Sequence, residues 1–86
     1  MRVATGTVAN RTKAPDAFRE EIQKGFDLIR NQPNAGTWAR NVKLARVRRI
    51  HLSRIRYHLY YRFYPATGVV MVLALWHTSR GSGPGL

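Results

Sequence analysis

The sequence predicts a small α+β domain in which one amphipathic helix packs on a three-stranded antiparallel meander. Three observations support this class. Apolar residues recur at helical spacing over residues 15–31, and apolar and polar residues alternate without a slip over 55–64. A short turn at 65–68, Pro-Ala-Thr-Gly, then precedes a third segment, the apolar run 69–76.

The predicted helix carries signals at both of its ends. Pro15 suits the first helical position, Asp16 lies at the positive end of the helix dipole, and Arg30 lies near the negative end. The polar segment 31–36, Asn-Gln-Pro-Asn-Ala-Gly, ends the helix. Its apolar stripe, whose simplest interpretation is a core-facing surface, consists of Phe18, Ile22, Phe26 and Ile29.

The first predicted strand covers residues 47–52. Ile50 and Leu52 lie on one of its faces, and Arg49 and His51 lie on the other.

The second predicted strand, 55–64, has an apolar face and a polar, aromatic face. The third, 69–76, is apolar on both faces, which is typical of a buried strand, and the chain from Thr78 onward is expected to be irregular. The polar, aromatic face of the second strand consists of Arg56, His58, Tyr60, Arg62 and Tyr64.

Composition restricts the class of protein and of partner. Fifteen Lys and Arg against four Asp and Glu give a net charge of +11, which favours an anionic partner such as nucleic acid, an acidic protein surface or anionic lipid. No cysteine is present, which excludes disulfides and thiolate chemistry. The apolar run at 69–76 is too short to span a bilayer and the first residues lack the apolar core of a signal peptide, so we expect a cytoplasmic protein.

The charges are segregated along the chain. All four acidic residues lie between Asp16 and Asp27, whereas Leu28 to Leu86 contains ten basic residues and no acid. The polar, aromatic face of the second predicted strand places cations, an imidazole and a phenol in one row. Such a row can bind phosphates and stacked bases, but it can bind acidic side chains of a protein partner equally well. The alternative to a binding role is that this row is simply the solvent-exposed face of an antiparallel sheet, which is commonly polar.

The three histidines, His51, His58 and His77, fall on three separate predicted strands. A zinc site would need further ligands that the basic part of the chain does not supply, and a Ser-His-acid triad would need an acid outside the helix. We therefore expect no metal site. Acid–base cleavage of RNA by His and Arg alone stays open, because it needs no carboxylate.

Three segments, in this order and spacing, resemble the RelE/ParE toxin superfamily, and within it the ParE branch. They are Val-Arg-Arg-Ile-His-Leu at 47–52, Arg-Tyr-His-Leu-Tyr-Tyr-Arg-Phe at 56–63, and the apolar strand ending Trp-His-Thr-Ser-Arg at 72–80. The helix region also resembles the second helix of such toxins, so that the likeness extends over roughly residues 10 to 80.

The resemblance implies a toxin of a type II toxin–antitoxin pair that inhibits DNA gyrase by binding, is not an enzyme, and is neutralised by a ParD-like antitoxin. No cofactor or membrane contact is expected, and nucleic acid would be reached only through gyrase or the antitoxin. An acidic, amphipathic antitoxin segment is expected on the apolar stripe and the basic sheet. Motif and charge together predict the target-binding residues as Arg48, Arg49, Arg56, His58, Tyr60, Arg62, His77 and Arg80.

The alternative is a RelE-type mRNA endonuclease acting on the ribosome, in which Arg56, His58, Tyr60 and Arg62 would contact the scissile phosphate. Members of that branch usually carry an arginine at the position of His58 and basic residues directly after the last strand, where this chain has only Arg80. Both departures favour the ParE branch.

The N-terminus is short compared with the superfamily, whose members begin with a strand and a long first helix. We therefore expect a single domain over 1–86 that is truncated at its start, with a stub at 1–9 and a flexible tail at 81–86. An inactive remnant that only binds antitoxin is a third possibility on this basis.

Overall fold

The structure, a computed structural model, describes residues 16–81 and 83–86, and it has the predicted α+β class. One helix packs against a four-stranded antiparallel sheet of order β1-β2-β3-β4. The elements are α1 (Asp16–Asn31), β1 (Thr37–Trp38), β2 (Arg48–Leu52), β3 (Tyr57–Tyr64) and β4 (Val69–His77). The expected stub at 1–9 and Pro15 lie outside the described residues.

The sheet has one strand more than the predicted three. β1 is only two residues long and pairs with β2 through Thr37 opposite Arg49 and Trp38 opposite Arg48. Two residues contain no measurable alternation, so this edge strand leaves no signal in the sequence. It exists because the chain after the helix runs back alongside β2.

The core lies between α1 and one face of the sheet, as the apolar stripe predicted. Gly25 allows close packing there, since an added Cβ would lie 3.1 Å from Leu52 Cδ2 and 3.3 Å from Leu59 Cδ1. A mid-helix glycine costs about 1 kcal/mol relative to alanine, which indicates that this close approach is important for packing. The buried cluster comprises Ile22, Ile29, Leu52, Leu59, Tyr61, Val70 and Val72.

A β-bulge interrupts the pairing of β4 with β3. Tyr60 pairs with Ala74 but Tyr61 pairs with Val72, so Leu73 is the extra residue opposite this step of β3. Val72 before the bulge and Leu75 after it consequently both lie on the core side of the sheet. The bulge thus decides which residues face the core, whereas the absence of alternation follows from composition, because every residue from Val69 to Trp76 is apolar.

The β2–β3 connection corrects the predicted start of the second strand. We expected Arg56 within it, but β3 begins at Tyr57, and Arg56 has a left-handed backbone with φ of 61°. Its N–H donates to the carbonyl of Leu52 at 2.8 Å, which closes the turn. Few non-glycine residues adopt a positive φ, so alternation alone gave no reason to expect a turn there.

Residues 83–86 pack against the loop between β1 and β2. The Lys43 N–H donates to the carbonyl of Leu86 at 2.8 Å, Pro84 is buried, and a Cβ on Gly83 would lie 2.9 Å from the carbonyl oxygen of Asn41. The segment has no regular secondary structure, as predicted for the chain after Thr78. Its flexibility stays a prediction. Within the described ranges, no helix is long and apolar enough to cross a membrane.

Candidate anion-binding face

The face of the sheet turned away from α1, here called the outer face, collects side chains of three strands. Cross-strand partners point to the same side of a sheet, and the register places Arg49 opposite Tyr60, His51 opposite His58, and His58 opposite Trp76. The His51 and His58 rings lie 5.0 Å apart between centroids. Antiparallel pairing therefore converts three separate sequence segments into one cluster of cations and rings.

A cleft of about 190 Å³ opens on this face and is called the outer cleft below. Its lining comes from β2 and β3, from the end of β4 with the chain that follows it, and from the loop between β1 and β2. The side chains that the following argument uses are Asn41, Arg49, His58, Tyr60, Trp76 and Arg80. None of the described residues that line it is acidic.

Tyr60 forms the floor of the outer cleft and is only 1% exposed. Its hydroxyl oxygen accepts hydrogen bonds from Asn41 Nδ2 at 3.1 Å and from Arg49 Nη1 at 3.4 Å. We predicted a target-facing phenol, and burial corrects this expectation. The ring instead helps to hold the Arg49 guanidinium in place.

His58 lies beside that guanidinium, and its environment favours the neutral imidazole. Partial burial lowers the pKa of His58 below its usual value of 6.5, and electrostatic repulsion from Arg49 and His51 lowers it further. An anion in the outer cleft would oppose all three effects, because it would stabilise the imidazolium. The cleft thus has a positive potential that no described carboxylate neutralises.

Arg80 completes the cleft from beyond β4. Its guanidinium lies over the Trp76 ring, 4.7 Å from the centroid, which is a cation–π distance. His77 also contributes to the lining of the cleft, but its register partner lies on the other side of the sheet. It pairs with Tyr57, on the core side of the sheet, and the two rings meet edge-to-face at 5.0 Å.

Arg48 also lies on the other side of the sheet, although it is adjacent to Arg49 in sequence. Its register partner is Tyr61, a core residue, and its Nη1 donates to the Gly36 carbonyl at 2.7 Å. The same guanidinium stacks 3.8 Å from the centroid of Trp38, a half-exposed ring. The two arginines, both predicted to bind the target, therefore lie on different faces of the sheet.

Arg56 and Arg62 are the remaining predicted cations, and neither lines the outer cleft. Arg56 lies in the β2–β3 turn, outside the strand row. Arg62 is on the outer face, but its Nη2 and Nε donate to the Ala45 carbonyl at 2.6 and 3.2 Å. It lines a separate cleft of about 250 Å³ together with Tyr64.

The sequence matches a protein-family model over most of its length. Residues 3–81 match the model described as the ParE toxin of the type II toxin–antitoxin system parDE. The chain belongs to the ParE toxin family. No curated protein and no solved structure matches it.

Membership in the ParE family implies an antitoxin partner, and the structure shows how much of the predicted antitoxin surface is accessible. Ile29 is fully buried and Ile22 is 8% exposed, so neither offers a partner a substantial surface. Phe18 and Phe26 are only partly buried, and Phe18 packs edge-on against Tyr57 with centroids 5.4 Å apart. Of the stripe on which the antitoxin segment is expected, the two phenylalanines are therefore the accessible part.

Three members of the outer face were not predicted as site residues. Alternation already placed His51 beside Arg49 on the polar face of β2, so this residue was recoverable from the sequence. Trp76 was hidden by the β-bulge, which changes the face on which the end of β4 presents its side chains. Asn41 lies in an irregular loop, and no pattern marked it.

Proposed function

We propose that this protein is the toxin of a type II toxin–antitoxin pair that inhibits DNA gyrase by binding, without enzymatic activity, and is neutralised by a ParD-like antitoxin. The family match over residues 3–81 carries this proposal. The outer face supports it physically, because gyrase at work holds DNA and presents anionic surface to a cationic ligand. Arg49 and Arg80 are the cations that the outer cleft offers to such a target.

The antitoxin contact is proposed on two accessible surfaces. The partly buried rings of Phe18 and Phe26 provide apolar area at the edge of the helix, and the basic outer face provides charge. An acidic, amphipathic segment satisfies both requirements. Neutralisation then follows from covering the cations that the target needs.

A gyrase cleavage assay tests the proposal directly. Purified protein is incubated with gyrase and supercoiled plasmid, with and without a ParD-like antitoxin, and linear DNA is quantified after the enzyme is denatured. We expect linear plasmid with the toxin and none after antitoxin is added. Unchanged gyrase activity at every toxin concentration contradicts the gyrase target.

Charge-reversal variants connect the activity to the outer cleft. Arg49→Glu with Arg80→Glu is expected to abolish plasmid linearisation, because both cations of the cleft become acids. The control variant Arg19→Glu also reverses a positive charge, but at an exposed position of α1, on the opposite side of the sheet from the outer face. It should keep the activity. Circular dichroism verifies that all variants are folded.

The second candidate function is ribosome-dependent mRNA cleavage, and His58 is the observation that favours it. An imidazole kept neutral beside the Arg49 guanidinium is a suitable general base for a 2′-hydroxyl. The positions of Arg56 and Arg62 outside the cleft weaken this alternative. Cleavage of mRNA in a purified translation system, lost in His58→Gln, would establish it in place of gyrase inhibition.

A further inference from the structure

The outer cleft is too small for a typical free metabolite. Its volume is about 190 Å³, whereas small-molecule sites commonly measure roughly 300–1,000 Å³. It is also partly open rather than enclosed, as expected for a concavity on an outer face. These dimensions suit one charged group of a longer molecule that continues across the sheet.

The rings of the outer face form a platform next to that cleft. His51, His58 and Trp76 are register neighbours on three consecutive strands, and strands in a sheet are about 4.8 Å apart. The three rings therefore span roughly 10 Å across the sheet. Such a row of aromatic side chains matches the stacking platforms on which successive bases of a single strand lie.

The two guanidinium groups of the cleft are held by aromatic side chains rather than by acids. Arg49 is bonded to the Tyr60 hydroxyl, and Arg80 lies over Trp76. Neither has a carboxylate partner among the described residues, in contrast to Arg54, which pairs with Glu20 at 3.0 Å. Their charges are therefore available to an external anion.

We propose that the outer cleft binds a single strand of nucleic acid, with Arg49 and Arg80 on a phosphodiester and the His58 and Trp76 rings against a base, the Arg80 guanidinium turning from the Trp76 ring to the phosphate. The aromatic rings favour this ligand over an acidic peptide, because carboxylates gain nothing from a stacking platform. Where the strand comes from rests on the proposed function: DNA exposed in the gyrase complex, or RNA for a ribosomal toxin. Binding itself requires neither target.

Fluorescence anisotropy with the full chain tests this, using labelled oligothymidylate and oligouridylate of about ten nucleotides, within the site sizes known for single-strand binders. We expect binding that weakens with salt. Arg49→Gln and Arg80→Gln should each reduce affinity at least about tenfold and lower the salt slope by about one. Tighter binding of one oligonucleotide assigns DNA or RNA as the source.

The matched control is Arg19→Gln, which removes one charge from exposed α1 and should leave affinity and slope unchanged. An equal loss in this control would show that net charge alone holds the strand, and would overturn the proposal. So would wild-type affinity in the Arg49→Gln, Arg80→Gln double variant. Oligoglutamate that binds more tightly than either oligonucleotide would assign the cleft to an acidic protein instead.

Tryptophan fluorescence provides a readout of stacking. The chain has two tryptophans, so Trp38→Phe leaves Trp76 as the only reporter. Oligothymidylate should quench this emission, and free inorganic phosphate should not. Absence of quenching despite binding would refute the platform. Because gyrase is absent from every arm, a failure here and a failure of gyrase inhibition are distinguishable results.

Discussion

The buried hydroxyl of Tyr61 ties the helix-to-β1 connection to the centre of the sheet, and its removal tests this role. The hydroxyl donates to the Pro33 carbonyl at 2.7 Å and accepts from the Gly36 N–H at 2.8 Å. A Cβ on Gly36 would lie 2.7 Å from that oxygen, which shows how closely the loop and the phenol approach. Tyr61→Phe deletes both hydrogen bonds and preserves the ring.

The expected loss of unfolding free energy for Tyr61→Phe is about 2–3 kcal/mol. Two hydrogen bonds contribute about 0.5–1.5 kcal/mol each, and an unpaired buried N–H costs about 1–3 kcal/mol. For a domain of this size that loss lowers Tm by roughly 10–20 °C. Gly36 is buried, so water does not replace the missing acceptor without opening the loop.

Tyr60→Phe is the matched control, because Tyr60 and Tyr61 are adjacent and equally buried. The Tyr60 hydroxyl is bonded to the side chains of Asn41 and Arg49, which are able to turn to water, so its loss should cost under about 1 kcal/mol. Urea unfolding followed by circular dichroism measures both variants. Equal destabilisation of the two, or a Tyr61→Phe effect below about 0.5 kcal/mol, refutes the reasoning.

Three further outcomes concern the core and the outer cleft. The pKa of His58 is lower in the folded state than in the unfolded state, so the unfolded state binds more protons just below pH 6.5. The free energy of unfolding should therefore fall as the pH drops through this range, and it should fall less steeply in His58→Gln. Urea unfolding at several pH values measures both trends. Gly25→Leu should strongly destabilise or unfold the protein, because its side chain has no space between α1 and Leu52 or Leu59; a wild-type Tm would contradict the close packing. Ile29→Ala, at a fully buried position, should cost about 2–5 kcal/mol in urea unfolding, and a cost under 1 kcal/mol would place this side chain outside the core.

The helix and the core face of β3 were predictable because their signals are local. Helical spacing located a helix over 15–31 where the structure has α1, and the alternation of Leu59 and Tyr61 with polar neighbours fixed which face of β3 meets it. The two-residue β1 and the left-handed turn at Arg56 were not predictable, since neither changes a periodic pattern.

The character of the candidate site was predicted, and its membership only in part, since Arg49, His58 and Arg80 line the outer cleft but Arg56 and Arg62 do not. Charge segregation alone determined that the C-terminal two-thirds of the chain is cationic and that any acids lie on the helix. Strand alternation already separates Arg49 from Arg48, but tertiary structure decided which groups meet: register brings Arg49 beside Tyr60, and the chain after β4 brings Arg80 to the same cleft. Composition and period are properties of neighbouring residues, whereas a cleft depends on register, bulges and turns that only long-range pairing fixes.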